Sequence, residues 1–263
     1  MNELFQAIIL GVVQGLAEFL PISSSGHLQI VPWLFGWNAS SLTFDTALHI
    51  GTALAVSAYF FKEVLRLIKE KSPLLIYIIL GNMPALLIGF LAENYIEELF
   101  HQGAYAIPIT AIGLIIFGLI MLLVDIYSSI TRNGSSSNLK DLLILGAMQA
   151  VALIPGVSRS GITITTGRAL GFDRQSATYL SFLLGMPITV GAGLYKLLQA
   201  ISNPSQLQEG LMTAFAGALA SFVVGILCIK WLLNYVKTHP LKFFALYRVV
   251  VGITVLIVWR IKF

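Results

Sequence analysis

One polar stretch inside a very apolar chain carries the side chains that could do chemistry. Residues 14–27 read Q-G-L-A-E-F-L-P-I-S-S-S-G-H. Gln14 and Glu18 are four residues apart, so on a helix they share one face. Pro21 interrupts that helix because it lacks an N–H group and disfavours helical geometry in the preceding residue. A carboxylate, a cluster of hydroxyl groups and an imidazole thus follow one another closely, which indicates a reaction or binding site.

The hydroxyl groups and the imidazole have two readings. Ser23, Ser24 and Ser25 could each cap a following helix or close a turn. However, His27 follows Ser24 by three residues, and an imidazole within reach can activate a hydroxyl group or protonate a leaving oxygen. We therefore predict Ser24 as the nucleophile and His27 as the group that transfers protons. A variant with His27 as the nucleophile stays open, with Ser24 only bonding phosphate.

Glu18 is predicted to be functional because a charged side chain inside a membrane costs free energy. A charged side chain at the centre of a membrane costs about 2.5–3.5 kcal/mol on insertion scales. A carboxylate satisfied by backbone donors is the simpler reading, but an unforced charge at depth would be unusual. Gln14, on the same helical face, is predicted to assist Glu18 in orienting His27 or in holding a cation.

The same polar pattern returns in the second half of the chain, at residues 155–161, which read P-G-V-S-R-S-G. The match is ungapped at an offset of 135 residues and indicates an internal duplication. The matching positions are Gly11, Gln14, Ala17, Ser23, Ser25 and Gly26 in the first half, and Gly146, Gln149, Ala152, Ser158, Ser160 and Gly161 in the second.

Arg159 lies inside this second motif, between Ser158 and Ser160. Snorkelling to an interface is the alternative role for a membrane arginine. A guanidinium group beside glycines and hydroxyl groups instead fits the geometry of phosphate. We predict that Arg159 binds phosphate oxygens together with the neighbouring backbone amides.

The composition identifies the class of protein. The chain is 57% hydrophobic and only 11% charged, whereas roughly a quarter of the residues in soluble domains are charged. The net charge of +4 is spread over short loops, so it reports membrane topology and not nucleic-acid binding. Full spans are predicted at about 44–68, 73–92, 105–125, 177–198, 211–233 and 243–261.

These segments predict an all-α polytopic membrane protein with an inverted-topology repeat, folded as a single membrane domain over residues 1–263. Each half, about 1–127 and 139–263, comprises one re-entrant helical hairpin plus three transmembrane helices. An odd number of crossings gives the halves opposite orientations, and the polar hairpin tips can meet. The positive-inside rule places the basic segments 62–71, 132–140 and 230–242 in the cytoplasm, the acidic loop at 93–98 outside and both termini outside.

Four further polar residues receive weaker predictions. Asp45 and His49, one turn apart at the outer end of a span, either join the site or face water. Gln149, the repeat partner of Gln14, is predicted to support the second hairpin. Arg248 is predicted to snorkel at the cytoplasmic end of the last span.

Taken together, the motifs resemble those of the bacitracin-resistance family of undecaprenyl-diphosphate phosphatases. The resemblance rests on Q-x-x-x-E-F-L-P-I-S-S-S-G-H and P-G-V-S-R-S-G, with F-D-T-A-L-H-I-G-T at 44–52 and A-L-Y-R at 245–248. It implies hydrolysis of a C55 lipid diphosphate to its monophosphate and inorganic phosphate, and dependence on a divalent cation such as Mg²⁺ or Ca²⁺. The family permits Glu or Gln at its first motif position, and Gln14 here leaves Glu18 as the only acid of the pair.

The resemblance also implies a place in the cell. The family recycles the lipid carrier for cell-wall synthesis and gives bacitracin resistance from the plasma membrane, with its site open toward the outer face. The expected partners are a polyprenyl diphosphate lipid and the bilayer, without nucleic acid, and a homodimer is left open. The predicted site then comprises the catalytic residues Glu18, Ser24, His27 and Arg159, with Glu18 also a candidate metal ligand, and the substrate-binding residues Gln14, Ser23, Ser25, Gly26, Ser158, Ser160 and Gly161.

Two other classes of function compete with this reading. A secondary transporter or lipid flippase would use the same inverted repeat and broken helices, and fold alone does not decide function. A transporter, however, needs no set of hydroxyl, imidazole and guanidinium groups, whereas phosphoryl transfer does. An interaction or scaffold protein would leave a buried Glu18 and Arg159 unexplained.

Overall fold

The computed structural model describes residues 3–37, 42–96, 105–202 and 210–262. Throughout these ranges the regular structure is helical, apart from one isolated bridge between Arg132 and Phe172. The helices are α1 (Glu3–Ala17), α2 (Ser24–Phe35), α3 (Leu42–Lys69), α4 (Pro73–Ile96), α5 (Ala106–Tyr127), α6 (Leu139–Gln149), α7 (Arg159–Ala169), α8 (Arg174–Ser202), α9 (Leu211–Tyr235) and α10 (Lys242–Lys262). Short 3₁₀ turns occur at Gly134–Ser136 and Ala150–Leu153.

Among the described residues, five helices are long and apolar enough to cross a membrane, namely α4, α5, α8, α9 and α10. They confirm that the chain is an all-α polytopic membrane protein, and they coincide with five of the six predicted spans. The sixth, α3, has 28 residues, or about 42 Å, but is not among these five; its crossing stays a prediction. The acidic connection predicted to be external extends through residues 97–98, which lie outside the described residues.

Each half of the chain begins with two short helices joined by a break, and the two breaks share one local geometry. Ser23 precedes α2 with φ 79° and ψ 99°, and its side chain accepts from Gly26 N. Ser158 precedes α7 with φ 72° and ψ 116°, and its side chain accepts from Gly161 N. Non-glycine residues rarely adopt positive φ, and such strain persists only where the surroundings hold it. The break geometry therefore repeats along with the sequence motif.

The two helical hairpins enter the bundle from opposite ends, as the contacts of α10 indicate. Near the C-terminus of α10, Lys262 Nζ lies 4.6 Å from the centroid of the Trp33 ring, near the end of α2. Just before α10 begins, Leu241 N donates to Asp125 Oδ2 at 2.9 Å. Asp125 Oδ1 also accepts from Arg168 Nε at 3.4 Å, near the end of α7. Since α10 has 21 residues, or about 32 Å, the open ends of the two hairpins lie far apart.

The packing of the helices is also repeated between the halves. α1 packs against α9 as α6 packs against α4, α3 packs against α9 as α8 packs against α4, while α3 contacts α8 and α5 contacts α10. Exchanging α1–α5 with α6–α10 converts each of these pairs into another of them or into itself. This pattern supports the predicted duplication. Its relation to the plane of the membrane, and with it the inverted topology, stays a prediction.

A buried aromatic group anchors the first break to the second half of the protein. The Phe19 and Phe182 rings meet edge to face with centroids 5.8 Å apart, and Phe182 contacts Phe60 at 6.4 Å. All three rings are at most 2% exposed. Because edge-to-face pairs add to the burial of aromatic area, Glu18, next to Phe19, is held at a fixed depth between α3 and α8.

Candidate functional site

Glu18 is the centre of the candidate site, because both of its oxygens are engaged by groups from the two hairpins. Arg159 Nη2 donates to Glu18 Oε1 at 3.0 Å, and Ser24 Oγ donates to Glu18 Oε2 at 2.8 Å. The carboxylate and guanidinium side chains are 11% and 15% exposed. A pair this buried needs close geometry and additional hydrogen bonds to offset its desolvation. The structure thus brings together three of the four predicted catalytic residues.

Ser24 and Arg159 occupy equivalent positions in the repeat, at the fixed offset of 135 residues. Each is the first residue of the second helix of its hairpin, α2 and α7 respectively. The N-terminus of a helix presents unpaired N–H groups and a positive partial charge. Two such termini therefore converge on one carboxylate, in a setting suited to anions.

The predicted substrate-binding serines form two matching pairs that shape the breaks. Ser23 Oγ lies 3.4 Å from Ser25 Oγ, and Ser158 Oγ lies 3.2 Å from Ser160 Oγ. Ser160 Oγ also donates to Leu20 O at 3.0 Å, which ties the second break to the first. Gly26 and Gly161 supply the capped N–H groups. In this structure these residues act as caps and cross-links, and their contact with a substrate stays a prediction.

His27 does not pair with Ser24, contrary to the expected activation of that hydroxyl by the imidazole. Its Nδ1 lies 2.8 Å from Ser23 O, and its Nε2 lies 2.8 Å from Tyr247 Oη. Both ring nitrogens are therefore engaged, and His27 is 7% exposed. The acceptor for the Ser24 hydroxyl is Glu18, because α2 points the imidazole toward α10.

Arg248 is buried and bridges the two breaks, so the expectation that it snorkels is wrong. It is 1% exposed. Its Nη1 donates to Pro21 O at 3.3 Å, and its Nη2 donates to Gly156 O and Val157 O at 2.8 Å each. Breaking a helix frees backbone carbonyls that must be satisfied inside a membrane protein. Arg248 satisfies them from both halves at once.

Gln14 lies beside Glu18 and is fully buried. Its Nε2 is 3.2 Å from Glu18 Oε2, 3.2 Å from His49 Nδ1 and 3.3 Å from Thr52 Oγ1. An amide nitrogen has two hydrogens, so it serves two of these acceptors at a time. Of the two residues with open roles, the structure brings His49 to the site through Gln14.

A divalent cation would find oxygen ligands beside Glu18. No group of three His, Cys, Asp or Glu residues stands at ligand spacing within the described ranges. Gln14 Oε1 is buried without a hydrogen-bond partner, and Nε2 of the same amide lies 3.2 Å from Glu18 Oε2. Mg²⁺ is commonly held by one or two carboxylates together with substrate phosphates. The residues present therefore fit a cation that is shared with a phosphorylated ligand.

Two contributors to the site were not foreseen in the sequence. Tyr247 bonds His27, a contact that the A-L-Y-R motif does not indicate. Gly185 in α8 leaves room for Arg159, because a Cβ there would overlap the guanidinium group. A lone Gly or Tyr in a span gives no signal of these contacts, which depend on the packing of α8 and α10.

The fold and the site together define a polytopic membrane protein with an ionised site buried between two broken helical hairpins. The chain matches the family described as "Bacitracin resistance protein BacA" over residues 7–254, and it belongs to that family.

Curated relatives of the chain are similar over nearly their whole lengths. The undecaprenyl-diphosphatase of Caldicellulosiruptor bescii is 44% identical, with 98% of each chain covered. The undecaprenyl-diphosphatase of Pelobacter propionicus is 41% identical, with 95% of each covered. That of Pelotomaculum thermopropionicum is 40% identical, with 96% of each covered.

Proposed function

We propose that this protein is an undecaprenyl-diphosphatase, which hydrolyses undecaprenyl diphosphate to undecaprenyl phosphate and inorganic phosphate. The observation that carries the proposal is the contact of Ser24 and Arg159, from separate hairpins, with the one carboxylate of Glu18. Phosphoryl transfer needs a nucleophile, a base and a positively charged side chain that binds phosphate, and Ser24, Glu18 and Arg159 can supply them in that order. The names of the curated relatives support the choice of substrate.

In the proposed reaction Ser24 attacks the terminal phosphorus in line with the bridging oxygen. Glu18 accepts the Ser24 proton over the existing hydrogen bond of 2.8 Å. As the bond from Ser24 Oγ to phosphorus forms, the bond to the bridging oxygen breaks and the lipid monophosphate leaves. Water then attacks the phosphoserine, and the bond from phosphorus to Ser24 Oγ breaks. Glu18 returns its proton to Ser24 Oγ, and the water oxygen with both of its hydrogens leaves as part of dihydrogen phosphate. A Ser24 nucleophile is preferred over His27, whose two nitrogens are engaged elsewhere.

Arg159 has a different partner at rest from the one it has in the reaction. Without substrate its guanidinium group neutralises Glu18. When a diphosphate enters, Arg159 turns its planar fork to the phosphoryl oxygens, which it can bind in a bidentate manner. Release from Arg159 also makes Glu18 more basic toward the Ser24 proton, because a nearby positive charge favours the ionised carboxylate.

The approach of a diphosphate to Glu18 brings like charges together, and a divalent cation would offset that repulsion. Glu18 and the unpartnered Gln14 Oε1 are the residues that would hold Mg²⁺ or Ca²⁺. When bound, the cation would supply charge neutralisation at the phosphate oxygens.

The proposal extends to the cell. The protein recycles the lipid carrier for cell-wall synthesis and thereby gives bacitracin resistance. It does so from the plasma membrane, with both termini outside and the site open toward the outer face. The basic segments at one end of the bundle support this orientation.

The first test is phosphate release from undecaprenyl diphosphate by the purified protein in detergent. Ser24→Ala should lower kcat at least about a thousandfold, because the nucleophile is removed. Ser57→Ala is the matched control, since Ser57 lies in α3 and its hydroxyl group donates to Ala53 O of the same helix; it should retain activity within about threefold. Equal rates for Ser24→Ala and the unmodified protein would remove Ser24 from the mechanism.

A lipid transporter is the competing function, since hairpins that enter from opposite ends are typical of transporters. Reconstitution into vesicles separates the two. A transporter would move the lipid diphosphate across the bilayer without releasing phosphate, and that result would replace the enzyme proposal.

A further inference from the structure

Tyr247 and His27 form a hydrogen bond that has no role in the proposed reaction as described so far by Ser24, Glu18 and Arg159. Tyr247 Oη lies 2.8 Å from His27 Nε2. The two rings are also stacked, with centroids 5.6 Å apart and planes 9° from parallel. Tyr247 therefore fixes the position of the imidazole by its hydroxyl group, with the two ring planes nearly parallel.

The second contact of His27 determines which nitrogen carries the proton. A backbone carbonyl can only accept a hydrogen bond, so His27 Nδ1, 2.8 Å from Ser23 O, carries a hydrogen and donates it. In the neutral imidazole Nε2 is then an acceptor, and the Tyr247 hydroxyl group donates to it. The structure thus fixes one tautomer, with Nε2 as the basic nitrogen.

Tyr247 can impose this orientation because its own position is fixed by its neighbour. Arg248 is buried and bonds carbonyls of both breaks, Pro21 O in the first and Gly156 O in the second. The first turns of α10 are thereby locked to the break that precedes His27. Tyr247 itself is 37% exposed, but its hydroxyl group reaches the buried imidazole of His27, which is 7% exposed.

We infer that Tyr247 is a positioning residue for the phosphatase reaction: it holds the His27 imidazole, whose Nδ1 donates to Ser23 O, and so fixes the break that presents Ser24 Oγ to Glu18. The inference rests on the proposed function. It assigns the A-L-Y-R segment two tasks, with Arg248 holding the breaks and Tyr247 holding the imidazole. Its effect belongs to the chemical step, since Tyr247 makes no contact with Glu18 or Arg159 among the described hydrogen bonds.

The test is Tyr247→Phe, which keeps the stacked ring and removes only the hydroxyl group. We expect kcat for phosphate release from undecaprenyl diphosphate to fall about tenfold, with KM changed less than about twofold, because Ser24 Oγ is then less well aligned with Glu18 while substrate binding is kept. Tyr235→Phe is the matched control: the Tyr235 ring stacks on His239 at 4.5 Å, remote from the site. It should leave kcat unchanged.

Two further measurements separate positioning from a general structural effect. In a His27→Gln background, Tyr247→Phe should cause no additional loss, since residues that act as one unit are not additive. In ¹⁵N-histidine NMR, the resonances that disappear in His27→Gln identify His27. Tyr247→Phe should shift its Nε2 resonance, and Tyr235→Phe should leave it in place.

The outcomes distinguish the inference from the function on which it rests. An unchanged kcat in Tyr247→Phe, or a loss that adds fully to that of His27→Gln, overturns the inference while the enzyme proposal stands. Unmodified protein that releases no phosphate overturns the proposed function. An Nε2 resonance that does not respond to Tyr247→Phe overturns the positioning role whatever the activity.

Discussion

At the scale of single residues, Arg159 in α7 and Arg248 in α10 have different roles. Arg159 bonds the carboxylate of Glu18, and a phosphate group can replace that carboxylate as its partner. Arg248 bonds three backbone carbonyls, which no substrate replaces. Both were candidates for snorkelling by their place in apolar segments. Only the partner atoms separate a binding role from a supporting one.

This difference predicts opposite responses to the same substitution. Arg159→Lys retains the charge beside Glu18 but loses the planar fork, so activity should fall about a hundredfold with little change in thermal stability. Arg248→Lys should instead lower the free energy of unfolding by about 2–4 kcal/mol, because one ammonium group cannot reach three carbonyls in the geometry of a guanidinium group.

Phosphate release and thermal unfolding in the same detergent check both substitutions. A variant Arg248→Lys that unfolds at the temperature of the unmodified protein would mean that the carbonyls of the breaks find other donors. A fully active Arg159→Lys would mean that a single positive charge suffices at the phosphate.

At the scale of elements, the short helices of the hairpins lie against their partners at glycines. A Cβ at Gly146 in α6 would overlap the carbonyl oxygen of Gly81 in α4. A Cβ at Gly11 in α1 would overlap the carbonyl oxygen of Gly217 in α9. Small residues let membrane helices approach closely. The repeated Gly-x-x-Gln of the sequence is therefore a packing signal as much as a functional one.

Gly146→Ala should destabilise the protein by about 1–3 kcal/mol, because the clash is with the backbone and not with a flexible side chain. Gly89→Ala is the control in the partner helix α4, since a Cβ there meets no atom within 4 Å. Thermal unfolding of both variants measures the difference. If the two variants unfold alike, α6 must be able to move away from α4 without cost.

Much of the site could be predicted from sequence because its signals are local. The proline break and the spacing of Glu18, Ser24 and Arg159 all lie within two short motifs, and the repeat relates the motifs to each other. The partners of His27 and Arg248 could not be predicted in this way. They lie 220 residues or more apart from their contacts in the first break, and only the packing of α10 brings them together.

At the scale of the whole molecule, the repeat relates the two halves so that their corresponding loops lie at opposite ends of the bundle. The helices α2, α5 and α10 share one apolar cluster, which includes Ile30, Leu114 and Val255, and Trp33 near the end of α2 and Ile107 at the start of α5 pack against it. The end of α5 and the start of α10 meet instead at Asp125. The second hairpin opens at this latter end, close to the basic segments that the positive-inside rule assigns to the cytoplasm.

Single-cysteine labelling in a Cys228→Ala background tests this arrangement. Cys228 is 4% exposed and lies in α9, and the background should fold because Ala removes only the sulfur atom and leaves a small cavity. Ser135→Cys and Lys237→Cys should react only with a reagent that reaches the cytoplasm, whereas Phe35→Cys and Tyr105→Cys should react from outside. The reason is that Tyr105 and Ser135 flank α5, a helix of 22 residues that is long enough to cross the membrane. Labelling of Phe35→Cys and Ser135→Cys from the same side would contradict the inverted repeat, because the two hairpins would then open toward one face.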